Sequence, residues 1–562
     1  MSRHRYTLIV AIATVLAVAA VAPAAASAHA VLVGTAPPAG TTVAVAPREI
    51  VFEFNQAVGG TLGAVRVYNG VGVRVDDGVV SHPSGIESRL GVGLPAHLPD
   101  GTYTATYRVI SADTHIVYGG MVFNIGHASR TSQTVAGLIG RDRAGAVTNT
   151  AFGVVRALDY LSIALVTGTL AFLLVAVSPA LLGGAFERRL WQLLGSGLAL
   201  GVLVGVLGIL LQGAEAAGLS LWGSLRGGVI SGVLGSRFGW VWGARALALA
   251  VSLIALPLRR RREYRLWLIV VSAFLVITPA LAGHASVQSP VWVFFPADVA
   301  HVLAASVWVG GLVAIVLALP LATRAVEPPR RTAILVEVLT RFSPVALVAV
   351  AVLAVTGVVA AYIDVRTVNA LTHTTYGQLV LCKTGLLGLL IGLGAINRER
   401  VIPTLRRLLA AGATPGETGV LLRRSSRGEL AAMTCVFAVT AALVALAPPV
   451  DALGGPFSAT VALGPAELEA YIAPARAGAN AMHLYLIDAR SGAAFTQNNL
   501  TITASLAAKG IGPLSEKAYV TGPGHYTVPD AILLPAGTWT ITITDRVSLF
   551  DEYTVRLQVP VG

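Results

Sequence analysis

Eight apolar segments, each long enough to cross a lipid bilayer, lie between about residue 152 and residue 447. They run approximately over 153–178, 190–212, 238–257, 266–283, 296–319, 342–362, 377–396 and 428–447. About 20 apolar residues span the hydrocarbon core as a helix, and a helix satisfies its own backbone hydrogen bonds in lipid. The segments therefore predict a polytopic α-helical bundle. The composition agrees, because 55% of the residues are hydrophobic and only 12% are charged.

The arginines between these segments predict the orientation of the bundle. Eighteen arginines lie in four alternate loops, which are 179–189, 258–265, 320–341 and 396–427. Only three lie in the other loops, which are 213–237, 284–295 and 363–376. Cytoplasmic loops carry the excess of positive charge, so both ends of the bundle are expected outside the cell. This orientation also explains the net charge of +12 without a nucleic-acid partner.

The N-terminus has the form of a secretory signal peptide. Arg3 and Arg5 precede the apolar run Leu8–Val21, and Ala26-Ser27-Ala28 has the small-residue pattern at which signal peptidase cleaves. We therefore expect residues 1–28 to be removed and His29 to become the first residue of the mature chain.

Two regions outside the bundle predict β-structure. Residues 29–126 contain about seven short alternating segments, among them Arg48–Val58 and Gly101–Ser111, which is typical of a small Ig-like sandwich. Residues 127–151 are small and polar and are interpreted as a linker. Residues 455–562 alternate again, for example in Thr538–Val547, and predict a second extracellular β-sandwich.

A histidine at a free N-terminus can bind a metal ion through its α-amine and its ring Nδ1. The segment Ser111–Gly120 adds Asp113 and His115, which point to the same side if the segment is extended. Three nitrogen ligands and one carboxylate oxygen suit Cu(II). The four methionines are scattered, which argues against a thioether site for Cu(I). The alternative stays open that His29 merely begins a strand and that Asp113 and His115 are surface residues.

Several polar residues interrupt the apolar segments and are expected to share a layer near the outer face of the membrane. Charged groups in lipid usually face a cavity or each other. The candidate charge partners are Asp159, Arg245 and Lys383. The candidate path for a metal ion through the bundle comprises His284, Asp298, His301, His373 and Cys382. As an alternative, Asp298 only neutralises Arg245 or Lys383 as a structural pair.

The N-terminal region, residues 1–126, resembles CopC, an exported copper-binding β-sandwich. The resemblance rests on the signal peptide, the terminal histidine, the APPAG turn (Ala36–Gly40) and SADTH followed by two glycines. It implies that His29, Asp113 and His115 bind Cu(II). The family commonly has Gly-His-Pro after its aspartate, whereas this chain has Thr114-His115-Ile116.

The middle of the chain resembles CopD, the multispan partner of CopC. The resemblance is carried by four patches, which are Asp298–Leu312, Arg341–Leu347, Tyr376–Lys383 and Asn397–Arg400. The last region resembles the YtkA-like domain that follows some CopD proteins. Together these resemblances imply a CopC–CopD fusion in the cytoplasmic membrane of a Gram-positive bacterium.

The function that follows is copper acquisition without enzymatic activity. The outer domain would capture Cu(II), and the bundle would import copper, with Cu(I) as the form that passes if a reductant is present. The chain carries no nucleotide-binding motif, so a gradient or a downstream acceptor would drive transport. The other partners implied are an external copper donor or a cytoplasmic acceptor. Two alternatives remain open, namely extracellular copper buffering that confers resistance without import, and a copper or haem redox enzyme.

Overall fold

The structure, a computed structural model, describes most of the chain. The described residues are 30, 32–54, 56–60, 64–111, 116–127, 129, 138, 145–178, 181, 184–225, 227–286, 290–323, 326–365, 367–444, 446, 457–473, 475–490, 495, 500–522, 524–547 and 551–562. The expected signal peptide 1–28 and the expected ligands His29, Asp113 and His115 lie outside them.

The chain divides into two compact units. The membrane unit comprises Asn149–Gln212 and Val233–Pro449. The β unit comprises Ser27–Thr148, Gly213–Gly232 and Val450–Gly562, so it contains both β-rich regions. The two β-rich regions are distant in sequence but belong to one unit.

The first β-rich region is a sandwich of two four-stranded sheets, as the sequence predicts, with eight described strands where about seven were expected. The strands are β1 (Leu32–Ala36), β2 (Thr42–Val43), β3 (Glu49–Phe54), β4 (Val65–Asn69), β5 (Val80–Ser81), β6 (Arg89–Gly93), β7 (Gly101–Ile110) and β8 (Ile116–Ile125), with a short 3₁₀ helix at Pro83–Gly85. One sheet has the order β1-β3-β6-β5 and the other β2-β8-β7-β4. Alternate residues of β3 are buried, and the Phe52 and Phe54 rings pack on Tyr107 from the facing sheet.

The C-terminal region is a second sandwich. Its strands are β9 (Phe457–Leu463), β10 (Ala466–Ala473), β11 (Gly478–Asp488), β12 (Leu500–Leu506), β13 (Ile511–Glu516), β14 (Tyr519–Gly522), β15 (His525–Leu533), β16 (Gly537–Arg546) and β17 (Glu552–Val561), with a 3₁₀ helix at Ala507–Lys509. A five-stranded sheet, β14-β15-β11-β10-β9, faces a four-stranded sheet, β13-β12-β16-β17. Trp539 is fully buried between the sheets, where its indole N–H donates to the carbonyl oxygen of Pro535 at 3.0 Å.

The described part of the membrane unit contains eight helices that are long and apolar enough to cross a bilayer. In chain order these spans are Val147–Val175, Ala185–Ala217, Arg237–Ile254, Arg262–Leu281, Val291–Ala318, Arg330–Asp364, Thr375–Ala410 and Gly416–Val444. The eight segments predicted from hydropathy are therefore confirmed, including the third and seventh, which contain a basic residue. The helices extend beyond the apolar windows at several ends because a helix continues into water once its backbone is hydrogen-bonded.

The individual helices show where the spans change geometry. Their bounds are Ala146–Ile163, Thr169–Val175, Ala185–Ala217, Gly227–Leu234, Arg237–Ile254, Arg262–Leu281, Val291–Val313, Leu319–Thr323, Pro328–Asp364, Val368–His373, Thr375–Ile396, Ile402–Ala410 and Gly416–Val444, with 3₁₀ turns at Leu221–Leu225, Leu256–Leu258 and His284–Ser286. π-Helical turns at Ala164–Gly168, Ala314–Ala318 and Asn397–Val401 interrupt the first, fifth and seventh spans. Such turns often occur where side chains must be re-aimed at a functional site.

The first and fifth spans cross at a pair of glycines. A Cβ on Gly310 would lie 2.5 Å from the carbonyl oxygen of Ala164, and a Cβ on Gly168 would lie 2.0 Å from that of Ser306. Small residues at such crossings let two backbones approach closely in lipid, where packing replaces the hydrophobic effect. This contact explains the glycines that follow Trp308 in the fifth span.

We predict that Gly310→Ala destabilises the bundle, because its methyl group meets backbone that cannot rotate away. Overpacking of this kind costs about 1–3 kcal/mol, so the melting temperature of the purified protein in detergent should fall. Gly385→Ala in the seventh span is the matched control, since a Cβ there meets nothing within 4 Å. Equal melting temperatures for the two variants would contradict the close crossing.

Candidate metal centre

The described residues around the expected Cu(II) site connect its two ligand-bearing segments. The backbone N–H of Ala30 donates to Ser111 Oγ at 3.0 Å, and Gln56 Nε2 donates to the same oxygen at 3.2 Å. Ala30 follows His29 directly, and Ser111 precedes Asp113 by two residues. Ser111 directly follows the last residue of β7, and Ile116 begins β8 directly after His115. The start of the first strand and the β7–β8 connection therefore meet at Ser111.

Backbone hydrogen bonds hold the end of β7 in place. Gly59 N–H donates to the carbonyl oxygen of Ile110 at 2.8 Å, and Ile110 N–H donates to that of Gly59 at 2.6 Å. Ser111 itself is 3% exposed. Because its hydroxyl accepts two hydrogen bonds in a buried place, the contact to Ala30 is rigidly positioned.

A buried ion pair forms the first part of the polar layer in the membrane unit. Arg245 Nη2 lies 2.9 Å from Asp159 Oδ1, and both side chains are almost fully buried. Arg245 also donates to Thr278 Oγ1 at 3.2 Å and lies over the Trp242 ring at 4.3 Å. The structure thus pairs Arg245 with Asp159, so two of the three candidate charge partners meet.

The second part of the layer surrounds His301. Lys383 interacts electrostatically with both Asp298 and His301, so three of the expected residues from the fifth and seventh spans lie near one another. Tyr160 lies within electrostatic range of both Asp159 and Asp298.

The hydrogen bonds of His301 determine which of its nitrogens is free to bind a ligand. Thr356 Oγ1 donates its only proton to the carbonyl oxygen of Val352 at 2.7 Å. The same oxygen lies 2.8 Å from His301 Nδ1. When the hydroxyl proton is on the Val352 side, Nδ1–H donates to Thr356 and Nε2 carries the lone pair, which is the arrangement of a histidine that binds a metal through Nε2.

The remaining candidates of the proposed path are two exposed side chains and one residue whose side chain is outside the described part of the structure. His373 ends a short helix, is exposed, and bonds locally through Nδ1 to Thr372 and Asn369. Cys382 is exposed. The backbone of His284 lies in a 3₁₀ turn, while its side chain is outside the described part of the structure. Among the described residues, no three His, Cys, Asp or Glu side chains are grouped so as to hold a metal ion.

A buried carboxyl group in the eighth span was missed by the sequence analysis. Asn397 Nδ2 donates to Glu429 Oε1 at 2.7 Å, and Ser425 Oγ donates to Asn397 Oδ1 at 2.5 Å. Glu429 is 5% exposed. It is the second residue of the predicted apolar segment 428–447 and directly follows an arginine-rich loop, and it was not among the residues expected in the polar layer.

The architecture defines a multidomain, multi-pass membrane protein with a buried polar layer between its spans. Comparisons with known proteins specify the class further. Three family models match the chain: the CopC domain over residues 32–126, the copper resistance protein D-like N-terminal domain over 147–294, and copper resistance protein D over 336–443.

Relatives match both the whole chain and its middle. The chain is 28% identical to the copper transport protein CutJ of Bacillus subtilis (strain 168), over 99% of both chains. It is 30% identical to copper resistance protein D of Pseudomonas syringae pv. tomato, over 46% of this chain and 84% of that protein. The solved structure of CopC from Methylosinus trichosporium OB3b is 24% identical and covers 19% of this chain and 98% of its own, with a TM-score of 0.16. This chain belongs to the copper resistance protein D family and carries a CopC domain in the same polypeptide.

We predict that breaking the buried ion pair on one side destabilises the bundle strongly. Asp159→Leu leaves the Arg245 charge without its counter-ion, which costs about 3–5 kcal/mol in buried pairs. The double variant Asp159→Leu with Arg245→Met should recover most of the loss, because apolar replacement of both partners is nearly neutral. Melting temperatures in detergent measure the effect. A double variant no more stable than Asp159→Leu alone would argue against the pair.

Proposed function

We propose that this protein acquires copper: the N-terminal sandwich captures Cu(II) outside the cell, and the membrane bundle passes copper inward. Copper is the metal named in the family and in its relatives. The observation that carries the proposal is the hydrogen bond between Ala30 and Ser111. It supports a site in which the freed amine and ring of His29 join the carboxylate of Asp113 and the ring of His115.

Chain connectivity makes this support specific. Successive Cα atoms are about 3.8 Å apart. His29 is one residue from Ala30, and Asp113 is two residues from Ser111. Both expected ligands are therefore close along the chain to the hydrogen bond between Ala30 and Ser111. His115 immediately precedes β8, whose pairing with β7 begins at Ile116. A three-nitrogen, one-oxygen donor set suits Cu(II) in a flat arrangement. A fourth strong donor would also occupy the position that oxygen needs, which disfavours a copper oxidase or oxygenase.

Both β-sandwiches are proposed to lie outside the cell. The arginine asymmetry of the loops supports this orientation. Segment 213–232, which follows the second span and belongs to the predicted outer loops, is part of the β unit, and Arg66 donates to the carbonyl oxygen of Ala217 at 3.2 Å. Tethering the capture domain to the bundle raises its local concentration there to roughly the millimolar range.

The polar layer is the proposed route through the bundle. Nε2 of His301 offers a neutral ligand, and Asp298 and Lys383 adjust the charge around it. With few fixed ligands, copper would bind transiently, which transport requires. His284, His373 and Cys382 are proposed as earlier contacts on the outer side.

We predict that His29→Ala and Asp113→Ala each weaken Cu(II) binding by orders of magnitude, because each removes donors of a chelate. One extra residue before His29 should weaken binding in the same way, since it moves the free amine. Titration of the mature protein with Cu(II) measures the effect. The control is His97→Ala, an exposed histidine in a turn, which should bind copper like the wild type.

We predict that cells lacking this chain contain less copper when copper is scarce, and that the His301→Gln variant fails to restore it. Cys435→Ser, at an exposed cysteine outside the proposed route, should restore uptake fully. Metal analysis of washed cells measures the content. Unchanged copper content together with raised copper sensitivity would contradict import and favour extracellular buffering as the function.

A further inference from the structure

The five-stranded sheet of the C-terminal sandwich is buried on both faces. Its inner face packs Leu468, Met482 and Val528 into the core between the sheets. Its outer face carries five polar or aromatic residues that are each at most 8% exposed, namely Glu469, Tyr471, His483, Tyr485 and His525. The outer face of a solvated sandwich normally meets water. This polar outer face is therefore covered by protein.

The first sandwich provides part of the cover within the same β unit. The Tyr471 hydroxyl donates to the carbonyl oxygen of Gly120 in β8 at 2.6 Å, and Tyr471 belongs to the core cluster of the first sandwich. Gly40, the last residue of the APPAG turn, lies against His483. A Cβ on Gly40 would be 2.0 Å from His483 Nδ1, and its φ of +75° also favours glycine.

Two histidines and a threonine on this covered face form a compact triangle of donor atoms. His483 Nδ1 lies 3.3 Å from His525 Nε2. Thr527 Oγ1 lies 3.4 Å from the first nitrogen and 3.3 Å from the second. In the strand register His483 is opposite Thr527, and His525 is opposite Tyr485, so the two rings meet diagonally across β11 and β15.

This triangle has the dimensions of one face of a metal coordination sphere. Two nitrogens 3.3 Å apart, each about 2.0–2.1 Å from one ion, subtend an angle of roughly 105–110°, close to the tetrahedral value. His525 is held in place by stacking on Tyr485, with ring centroids 4.4 Å apart and planes 15° apart. A ligand fixed by its neighbours loses little entropy when it binds a metal.

The facing nitrogens of the two rings are close enough to share a proton. At 3.3 Å at most one proton can lie between them. A metal ion would replace that proton, and binding would release it.

We propose that His483 and His525, with the Thr527 hydroxyl, form a second copper-ion site beside the APPAG turn of the first sandwich. The choice of copper as the ion rests on the proposed function. Imidazole nitrogens suit copper and zinc, and the donor set contains no sulfur. Two histidines leave the remaining coordination positions to exchangeable ligands, so this site holds copper more weakly than the N-terminal chelate and releases it readily.

The test uses the mature full chain in lipid nanodiscs, loaded with Cu(II) or, under a reductant, with Cu(I), and analysed for bound copper per chain after desalting. Wild type should bind two equivalents. His29→Ala should keep one weaker equivalent, and the double variant His483→Gln, His525→Gln should keep the tighter one. Glutamine retains hydrogen-bonding groups at the covered face. The control is His97→Ala, an exposed histidine outside both proposed sites and the proposed route, which should bind as wild type does.

The outcomes separate this site from the proposed function. Wild-type stoichiometry in the glutamine double variant would overturn the second site, whereas wild-type stoichiometry in His29→Ala would overturn the first. If equimolar Zn(II) displaces copper from the His29→Ala protein, the assignment to copper is wrong. If the double variant fails to fold, pulsed EPR of Cu(II) in His29→Ala decides instead: two imidazole couplings support the site, and fewer overturn it.

Discussion

The cost of leaving a polar group unpaired away from water governs the described structure of this protein. In the membrane unit, Arg245 lies 2.9 Å from Asp159. Thr278 and the Trp242 ring also contact its guanidinium group. A lone charge in hydrocarbon costs several kcal/mol, and these contacts offset that cost for Arg245 in the third span.

The same constraint acts in the β unit. Ser111 is buried and accepts hydrogen bonds from Ala30 and Gln56, and these bonds join the first residues of the sandwich to the end of β7. Tyr471 is buried, and its hydroxyl donates to the carbonyl oxygen of Gly120 in β8. In both places a buried polar side chain connects segments that lie far apart in sequence. The two proposed copper sites are next to these two contacts.

Hydropathy predicted the bundle well because lipid demands about 20 apolar residues in every span, whatever the neighbouring spans are. Alternation predicted the sandwiches for a similar reason, as β3 shows with its strictly alternating burial. It failed to predict that the outer face of the C-terminal sheet is covered. His483 and Tyr485 alternate with core residues as surface residues would, and only the partner sandwich buries them. Glu429 was missed because a charge beside an arginine-rich stretch has the pattern of a loop.

Local sequence patterns determined the number and approximate positions of the spans, the two β-regions, the polar residues inside the bundle and the family motifs, because each of these depends on a local pattern and a solvent. The tertiary structure alone decided which partners these residues take: Asp159 for Arg245, Thr356 for His301, and His525 for His483. Those choices depend on how helices rotate and how sheets pack against each other. Such packing is set by side chains from distant segments acting together. The local spacing of apolar residues in the sequence does not indicate it.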